Sequence, residues 1–200
     1  MILVTGATGF LGSELVKQLT QAGKTVRALK RKASKIPSFL PENSIDWFDC
    51  DFLDLPTLEE AFEGIEYVYH CAAKVSFNPS DKKLVQKVNP EGTSNVVNLC
   101  SAFNIKKLVH VSSVATVGES KNRSLITEKD TWEFNNAQSA YAISKYQSEM
   151  EVWRAIAEGL NAIIVNPSVI LGKHAGNEGS GQLFETVKKG LNFYTSGSCS

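Results

Sequence analysis

Two side chains at helical spacing carry the clearest chemical signal in the sequence. Tyr141 and Lys145 stand four residues apart in the segment YAISK, so a helix would place both on one face. A phenol with an unperturbed pKa of about 10 is a poor proton donor at neutral pH, and a nearby ammonium group would lower that pKa. Ser113 ends the apolar run KLVHVSS, and its hydroxyl could hydrogen-bond a carbonyl or an alcohol. These three residues predict proton transfer to a small oxygen-bearing substrate.

A glycine-rich segment near the start of the chain, GATGFLG at 6–12, lies between an apolar run and an amphipathic one. Gly6 would permit a tight turn, Gly9 would let the backbone approach a pyrophosphate, and Gly12 would let a helix pack closely on a strand. The helix N-terminus would offer amide groups and a partial positive charge to the phosphates. The spacing is GxxGxxG rather than GxGxxG. The predicted cofactor-binding loop comprises Gly6, Thr8, Gly9, Phe10, Leu11 and Gly12.

The segment LKRKASK at 29–35 indicates which dinucleotide is bound. Sites for NAD usually carry an acidic side chain at the end of the second strand, where it accepts a hydrogen bond from the ribose 2′-hydroxyl. This segment has no carboxylate and offers Lys30 and Arg31, whose cations would attract a 2′-phosphate. We therefore expect NADP(H) rather than NAD(H). The alternative interpretation is a solvated basic surface loop.

Strand-like and helix-like segments alternate along the chain. We predict strands at 2–5, 25–29, within 44–51, and at 67–72, 107–113 and 161–167. We predict helices at 10–22, 58–64, 81–103, 139–159 and 182–189, the third of them interrupted early by Pro90. This alternation is typical of an α/β protein with a doubly wound parallel sheet, the Rossmann fold.

The composition argues against several classes of function. The 200 residues are 42% hydrophobic, enough for a large core, and carry 21 basic and 21 acidic side chains. This neutral balance gives no electrostatic signal for nucleic acid or an anionic membrane, and no apolar run approaches the ~18 residues of a membrane span. The first residues show no signal-peptide pattern. The four cysteines are scattered, so we expect no metal site and free thiols in a reducing cytoplasm.

Together these motifs resemble the extended short-chain dehydrogenase/reductase family, also called the NAD-dependent epimerase/dehydratase family, over nearly the whole chain. GATGFLG resembles the family's nucleotide loop, HVSSVATVG at 110–118 its active-site strand, and YAISK its catalytic pair. The resemblance implies that Ser113, Tyr141 and Lys145 are catalytic. Asn89, in VNPEGTSNV at 88–96, would support the active-site relay.

Further segments resemble the family's cofactor contacts. DFLD at 51–54 is similar to the turn beside the adenine, HCAA at 70–73 to the lining after the fourth strand, and NPSVILG at 166–172 to the segment beside the nicotinamide. The resemblance thus implies a second group of cofactor-binding residues: Asp51, Phe52, Ala72, Ala73, Lys74, Tyr141, Lys145, Pro167 and Ser168.

Within the family, VRALKR and NPSVILG look most like the dihydroflavonol reductase-like branch, in which Arg31 would clasp the 2′-phosphate. Many sugar-nucleotide epimerases and dehydratases carry Arg where this chain has Asn166. Plant flavonoid reductases place Asn where this chain has Gly118, so the substrate class stays open. Family members run on into a small substrate-binding region, and the chain is either a fragment or unusually reduced there. We expect an NADP-binding domain with the catalytic residues at 1–172, and the start of the substrate-binding region at 173–200.

The expected activity is NADP-dependent reduction of a ketone or aldehyde in a small organic substrate, with Ser113 polarising the carbonyl and Tyr141 giving the proton. One alternative is a nucleotide-sugar epimerase or dehydratase with tightly held NAD. Another is a non-catalytic NADP-binding sensor or scaffold. His70 and His110 are expected to be packed residues rather than bases, and Phe77 would line the substrate entrance. The resemblance also implies a possible homodimer through the helices equivalent to 81–103 and 139–159.

Overall fold

Strands and helices alternate throughout the structure, a computed structural model that describes residues 1–76, 78–118, 126–130, 132–134, 138–175 and 181–190. The chain divides into two compact units, Met1–Ser168 and Val169–Ser200. The strands are β1 (Ile2–Thr5), β2 (Val26–Lys30), β3 (Asp46–Asp49), β4 (Tyr67–His70), β5 (Lys107–Val111) and β6 (Ala162–Val165). The helices of the first unit are α1 (Phe10–Gln21), α2 (Leu55–Ala61), α3 (Lys82–Ala102) and α4 (Ala140–Ala157), and α5 (Gly181–Lys188) belongs to the second.

The strands form one parallel sheet in the order β3-β2-β1-β4-β5-β6. β1 lies in the interior, where Ile2 is in register with Val26 of β2 on one side and with Tyr67 of β4 on the other. Because the strand order reverses at β1, a crevice is expected beyond the carboxyl ends of β1 and β4. The predicted fold class, a doubly wound parallel sheet of the Rossmann type, is confirmed.

Helices cover both faces of this sheet. Neighbouring residues of a strand point to opposite faces, so they belong to different core clusters. Leu3 belongs to a core cluster with Val68, which also contains residues of α2, α3 and α4. Val4 belongs to a second cluster with Val26 and with Val16 of α1. Burial on both faces explains why the interior strand β1 reads as a nearly continuous apolar run rather than as an alternating one.

Helix α2 begins at Leu55, three residues before the start at residue 58 that the sequence predicted. Asp54 is its N-cap residue, and the Asp54 side chain accepts a hydrogen bond from the Thr57 hydroxyl at 2.7 Å. Pro56 lies in the first turn, where the missing N–H is not needed. The helix therefore starts at a local capping signal upstream of its apolar periodicity.

The predicted interruption at Pro90 is wrong, because α3 runs from Lys82 to Ala102 with the proline inside it. A proline within a helix removes one hydrogen bond and costs about 3 kcal/mol. The turns that follow it bury Thr93, Val96 and Val97. The packing of these side chains offsets the local cost of the proline.

The second unit is described over residues 169–175 and 181–190, and α5 occupies most of its last stretch, close to the predicted 182–189. The domain boundary expected at residue 172 stays a prediction. Across the described parts of the chain, no helix combines the length and apolar character needed to cross a membrane.

Candidate active site

The predicted site residues follow the carboxyl ends of the strands, which lie at one edge of a parallel sheet. Gly6 and Arg31 directly follow β1 and β2, Asp51 lies just beyond β3, and Ser113 lies just beyond β5. Tyr141 is in the first turn of α4, between β5 and β6 in the chain. Ligands of open parallel α/β sheets bind at this edge.

The glycine loop is shaped by contacts that admit no side chain. Gly6 has a φ of +66°, and a Cβ atom there would lie 2.8 Å from the Cα of Ala72. A Cβ atom on Gly12 would lie 2.2 Å from the Gly6 carbonyl oxygen. Gly9 is the N-cap of α1, no side chain caps that end, and its first turn holds no acidic residue. The helix N-terminus can therefore receive a pyrophosphate. The other predicted residues of the loop are partly buried: Thr8, Phe10 and Leu11.

The two cations at the end of β2 have different surroundings. The Lys30 ammonium group forms an ion pair with Asp49 of the neighbouring strand β3. Arg31 is exposed directly beyond the strand. Arg31 is thus the better placed of the two for a 2′-phosphate, because the Lys30 charge is shared with a carboxylate.

The turn after β3 divides its predicted residues between solvent and core. Asp51 is exposed, and its side chain accepts a hydrogen bond from the Leu53 amide at 3.0 Å. The Phe52 ring packs against α3, so closely that a Cβ atom on Gly92 would lie 1.9 Å from it. The Asn95 side chain of α3 donates to the Phe52 carbonyl at 3.1 Å. Helix α3 therefore fixes both the ring and the backbone of this turn.

Asn89 joins the segment after β4 to helix α4. Its side chain is buried, accepts a hydrogen bond from the Lys74 amide at 2.7 Å and donates to the Lys74 carbonyl at 3.0 Å. The same amide group donates to the Ser144 hydroxyl at 2.9 Å, and Ser144 donates to the Tyr141 carbonyl at 2.8 Å. Asn89 thus positions the backbone of both segments. The segment after β4 also includes two partly buried predicted residues: Ala72 and Ala73.

The structure brings Ser113 and Tyr141 together through a side-chain hydrogen bond. Ser113 is the N-cap of a short 3-10 turn, Val114–Thr116, and its hydroxyl accepts from the Ala115 amide at 3.2 Å. Burial raises the pKa of Tyr141 above its ordinary value, and the bond with Ser113 partly lowers it. The shift of the Tyr141 pKa arises from burial and Ser113, and the expected effect of Lys145 on this pKa stays a prediction.

Lys145 is buried and directs its ammonium group at the sheet. Its Nζ donates to the Val111 carbonyl at the end of β5, at 2.6 Å. Burial lowers the pKa of Lys145 to about 8, while Cys71 and Glu149 act in the opposite direction. The amine therefore loses its proton far more readily than an exposed lysine does.

His70 and His110 are packed residues, as expected. His70 lies within hydrogen-bond distance of two hydroxyl groups, with Nδ1 2.7 Å from Thr5 Oγ1 and Nε2 3.1 Å from Thr93 Oγ1. Neither ring nitrogen of His110 has a hydrogen-bond partner among the residues described. Burial lowers the pKa of His70 to about 3 and that of His110 well below its ordinary value. Neither ring is suited to act as a base at neutral pH.

Glu149 stands at the centre of a polar cluster that the sequence analysis missed. Its Oε2 accepts hydrogen bonds from Ser112 Oγ at 2.7 Å, Thr116 Oγ1 at 2.7 Å and Asn166 Nδ2 at 3.1 Å. Its Oε1 accepts from Trp153 Nε1 at 3.3 Å. The cluster joins the ends of β5 and β6 to helix α4.

A signal for Glu149 was present in the sequence. It follows Lys145 by four residues, as Lys145 follows Tyr141, so all three lie along one face of α4. The partners of Glu149 come from two other segments, and sequence spacing does not indicate that these segments meet there.

The remaining predicted site residues lie at the end of the first unit. The Pro167 carbonyl accepts a hydrogen bond from the Val114 amide at 3.1 Å, which joins the segment after β6 to the turn after Ser113. Ser168 is exposed. Phe77, together with 119–125, 131 and 135–137 of the loop near the predicted site, lies outside the described residues.

Three cysteines are free thiols, Cys50, Cys71 and Cys100, and Cys199 lies outside the described residues. Burial raises the pKa of the Cys71 thiol to about 12. Within the described part of the chain, no three His, Cys, Asp or Glu residues are grouped so that they could hold a metal ion.

Comparison with known proteins gives one family. The sequence profile of the NAD dependent epimerase/dehydratase family matches residues 2–192. A protein of Synechocystis sp. named "Putative dihydroflavonol 4-reductase" is 34% identical over 169 residues, which are 84% of this chain and 49% of that protein. Cinnamoyl-CoA reductase 1 of Petunia hybrida is 29% identical over 192 residues, covering 86% of this chain and 54% of the reductase. The chain spans about half the length of these curated relatives.

Solved structures share the fold over nearly the whole chain. The crystal structure of gox2253 superposes with a TM-score of 0.82 at 33% identity, covering 93% of this chain and 57% of that one. The UDP-glucose 4-epimerase of Thermus thermophilus, in complex with NAD, superposes with a TM-score of 0.79 at 28% identity, covering 95% of this chain and 63% of the epimerase.

Proposed function

Because the chain belongs to the NAD dependent epimerase/dehydratase family of NAD(P)-dependent reductases and epimerases, we propose that it takes part in the NADP-dependent reduction of a ketone or aldehyde in a small organic substrate. The observation that carries this proposal is the placement of Ser113 just beyond β5 and of Tyr141 in the first turn of α4, where the Ser113 hydroxyl lowers the pKa of Tyr141. The glycine loop after β1 supplies a phosphate site at the same edge.

The residues present fit a dinucleotide. The close approach of the backbone at Gly6 and Gly12 leaves no room for a Cβ atom, and the uncapped N-terminus of α1 follows directly. When bound, a reduced nicotinamide supplies a hydride to the carbonyl carbon. We assign Thr8, Phe10 and Leu11 to the same loop, and Ala72, Ala73, Lys74, Pro167 and Ser168 to the cofactor-binding edge.

In the proposed reaction, Ser113 donates a hydrogen bond to the substrate oxygen and so polarises the carbonyl group. Tyr141 gives its phenolic proton to that oxygen as the alcohol forms, and is left as a phenolate. Burial favours the protonated form of Tyr141 before this step. Lys145 acts as the cation beside the phenolate, and Asn89 holds Tyr141 by way of Ser144.

The preference for NADP(H) is tested by a change at Arg31. Calorimetric titration should give tighter binding of NADPH than of NADH to the parent protein. Arg31→Ala should weaken NADPH binding by about tenfold or more, because it removes a charge-assisted contact to the 2′-phosphate, and should leave NADH binding nearly unchanged.

Lys24→Ala is the matched control for Arg31→Ala, since Lys24 is an exposed cation just before the amino end of β2. It should leave both affinities unchanged. Equal affinities for NADPH and NADH in the parent protein would contradict the NADP assignment. NAD that stays bound through purification would favour a nucleotide-sugar epimerase or dehydratase.

The proton-donor role is tested by Tyr141→Phe. Reduction across a panel of ketones and aldehydes should fall by about 10²- to 10⁴-fold, the usual contribution of general acid catalysis. NADPH binding should stay within about twofold, because the change removes one oxygen atom and leaves the phosphate loop intact.

Tyr67→Phe serves as the control, because Tyr67 is exposed at the amino end of β4, opposite the site. Carbonyl reduction at the wild-type rate in Tyr141→Phe would contradict the assignment of Tyr141 as the proton donor. NADPH binding without reduction of any substrate in the panel would instead favour a non-catalytic sensor or scaffold.

A further inference from the structure

Glu149 lies where three elements of the site meet. Its carboxylate is bonded to Ser112 at the end of β5, to Thr116 in the turn after Ser113, and to Asn166 just after β6. Glu149 itself belongs to α4, the helix that carries Tyr141 and Lys145. One side chain therefore ties the ends of β5 and β6 to helix α4.

Two of these partners also hold Ser113. Thr116 Oγ1 lies 2.8 Å, and Asn166 Nδ2 3.2 Å, from the Ser113 carbonyl oxygen. The Thr116 hydroxyl has one proton and can donate it either to Glu149 or to Ser113, whereas the Asn166 amide has two protons to give. Glu149 is thus separated from the Ser113 backbone by a single side chain along two routes.

We propose that Glu149 is a positioning residue that holds Ser113 against Tyr141, because its carboxylate fixes the turn after β5 to the face of α4. The proposal rests on the proposed function only in giving Ser113 and Tyr141 their chemical roles. The link from Glu149 to the Ser113 backbone stands on the hydrogen bonds themselves.

Among the described residues, the donors to Glu149 are neutral groups: two hydroxyls, one amide and one indole. These donors do not cancel its negative charge, which raises the pKa of Lys145, one helical turn away. The other ionisable groups that act on Lys145, or on which it acts, are Cys71 just after β4, His70 on β4 and His110 on β5.

These contacts predict opposite shifts at the two catalytic side chains when Glu149 becomes neutral. Loosening the Ser113 turn removes the hydrogen bond that lowers the pKa of Tyr141, so that pKa should rise further. Loss of the carboxylate charge should lower the pKa of Lys145 below its present value of about 8. Both values would then move away from those of free tyrosine and lysine.

A merely structural role predicts the reverse. If the substitution only loosened the packing, water would reach both side chains and burial would weaken. The pKa of Tyr141 would then fall and that of Lys145 would rise, each toward its ordinary value. The direction of the two shifts separates the two explanations.

The test is an NMR pH titration of the protein with ¹³C-labelled tyrosine and lysine, without cofactor or substrate. The variants are Glu149→Gln and, as a control, Glu158→Gln, an exposed glutamate just beyond α4 that pairs with Arg154. Tyr141→Phe and Lys145→Arg identify the two resonances. Glu149→Gln should shift the two pKa values apart by about half a unit or more each, and Glu158→Gln should shift neither.

If Glu149→Gln does not fold, Glu149→Asp carries the test. The shorter side chain keeps the charge but gives up contacts with the strand ends, so the pKa of Tyr141 should rise while that of Lys145 stays near its wild-type value. Unchanged values in the variant that folds, or shifts of both toward ordinary values, overturn the proposal. Because no cofactor is present, failure of NADPH binding would leave this result unaffected.

Discussion

Burial favours the neutral forms of both Tyr141 and Lys145, although it shifts their pKa values in opposite directions. It raises the pKa of the phenol and lowers that of the amine, so both are pushed toward their neutral forms. The neutral phenol is the form that can donate a proton. Ser113 opposes burial at Tyr141, and Cys71 and Glu149 oppose it at Lys145, so residues from several segments set the balance at the site.

The sequence predicted the identity of these residues better than their interactions. Tyr141 and Lys145 share a helix face, which spacing alone indicates, and Ser113 follows an apolar strand. The bond from Lys145 to the Val111 carbonyl depends on how α4 crosses β5. The Glu149 cluster depends on the same crossing, and spacing within one segment carries no information about it.

The unpartnered nitrogens of His110 make a prediction about stability. A buried polar group without a partner costs about 1–3 kcal/mol, so His110→Leu should raise the free energy of unfolding at pH 7 by about 1 kcal/mol, measured by urea denaturation. The lost ring contact with His70, 5.2 Å between centroids, offsets part of the gain.

The effect of pH on this variant follows from the direction of the histidine shifts. Because the folded pKa values of His70 and His110 are lowered, the unfolded state binds more protons below about pH 6.5. Stability should therefore fall between pH 7 and 5 in the wild type, and fall less in His110→Leu. His174→Asn, at an exposed position, is the control. An identical fall in His110→Leu and the wild type would contradict this account.

At the scale of elements, α3 connects the two ends of the candidate site. Asn89 holds the segment after β4, and Gly92, less than one turn later, receives the ring of Phe52 from the turn after β3. The helix reaches both because Pro90 does not break it. The residues that α3 buries lie on both sides of Pro90, so the helix must continue through the proline.

Gly92→Ala tests this contact. A Cβ atom 1.9 Å from the Phe52 ring must displace it, and overpacking of this kind costs about 1–3 kcal/mol. In a Phe52→Ala background the same change should stabilise by about 1 kcal/mol, because alanine favours a helix interior over glycine. Urea denaturation of the four proteins measures both effects. An equal cost in the two backgrounds would show that the ring is not what excludes a side chain there.

Element boundaries were predicted less well than element types. The apolar periodicity of α2 predicts too late a start, because it begins after the cap at Asp54. Local helix propensity wrongly predicts an interruption at Pro90, because propensity omits the burial of the turns that follow it. For α2 the missing information was the local cap at Asp54, and for Pro90 it was contact with other parts of the chain.

At the scale of the whole molecule, the parallel sheet places segments that are far apart in sequence at one edge. The alternation of strands and helices predicted this sheet, since each crossover returns the chain to the same end. The order of strands depends on contacts across the sheet, which the alternation of elements along the chain does not indicate.

The homodimer through α3 and α4 stays a prediction. Both helices carry large apolar side chains that are exposed: Leu84 on α3, and Met150 and Trp153 on α4. The domain boundary at residue 172 and the role of residues 173–200 in substrate binding likewise stay predictions.

The interior position of β1 also bears on how the protein is synthesised. This strand leaves the ribosome before its second neighbour exists, since Thr5 pairs with His70, 65 residues later. At a synthesis rate of roughly 5–20 residues per second, about 3–13 s pass between the synthesis of β1 and that of β4. An unpaired apolar edge is a template for pairing with another chain. Because β2 pairs with the other edge of β1, the edge that pairs with β4 stays open until β4 is made.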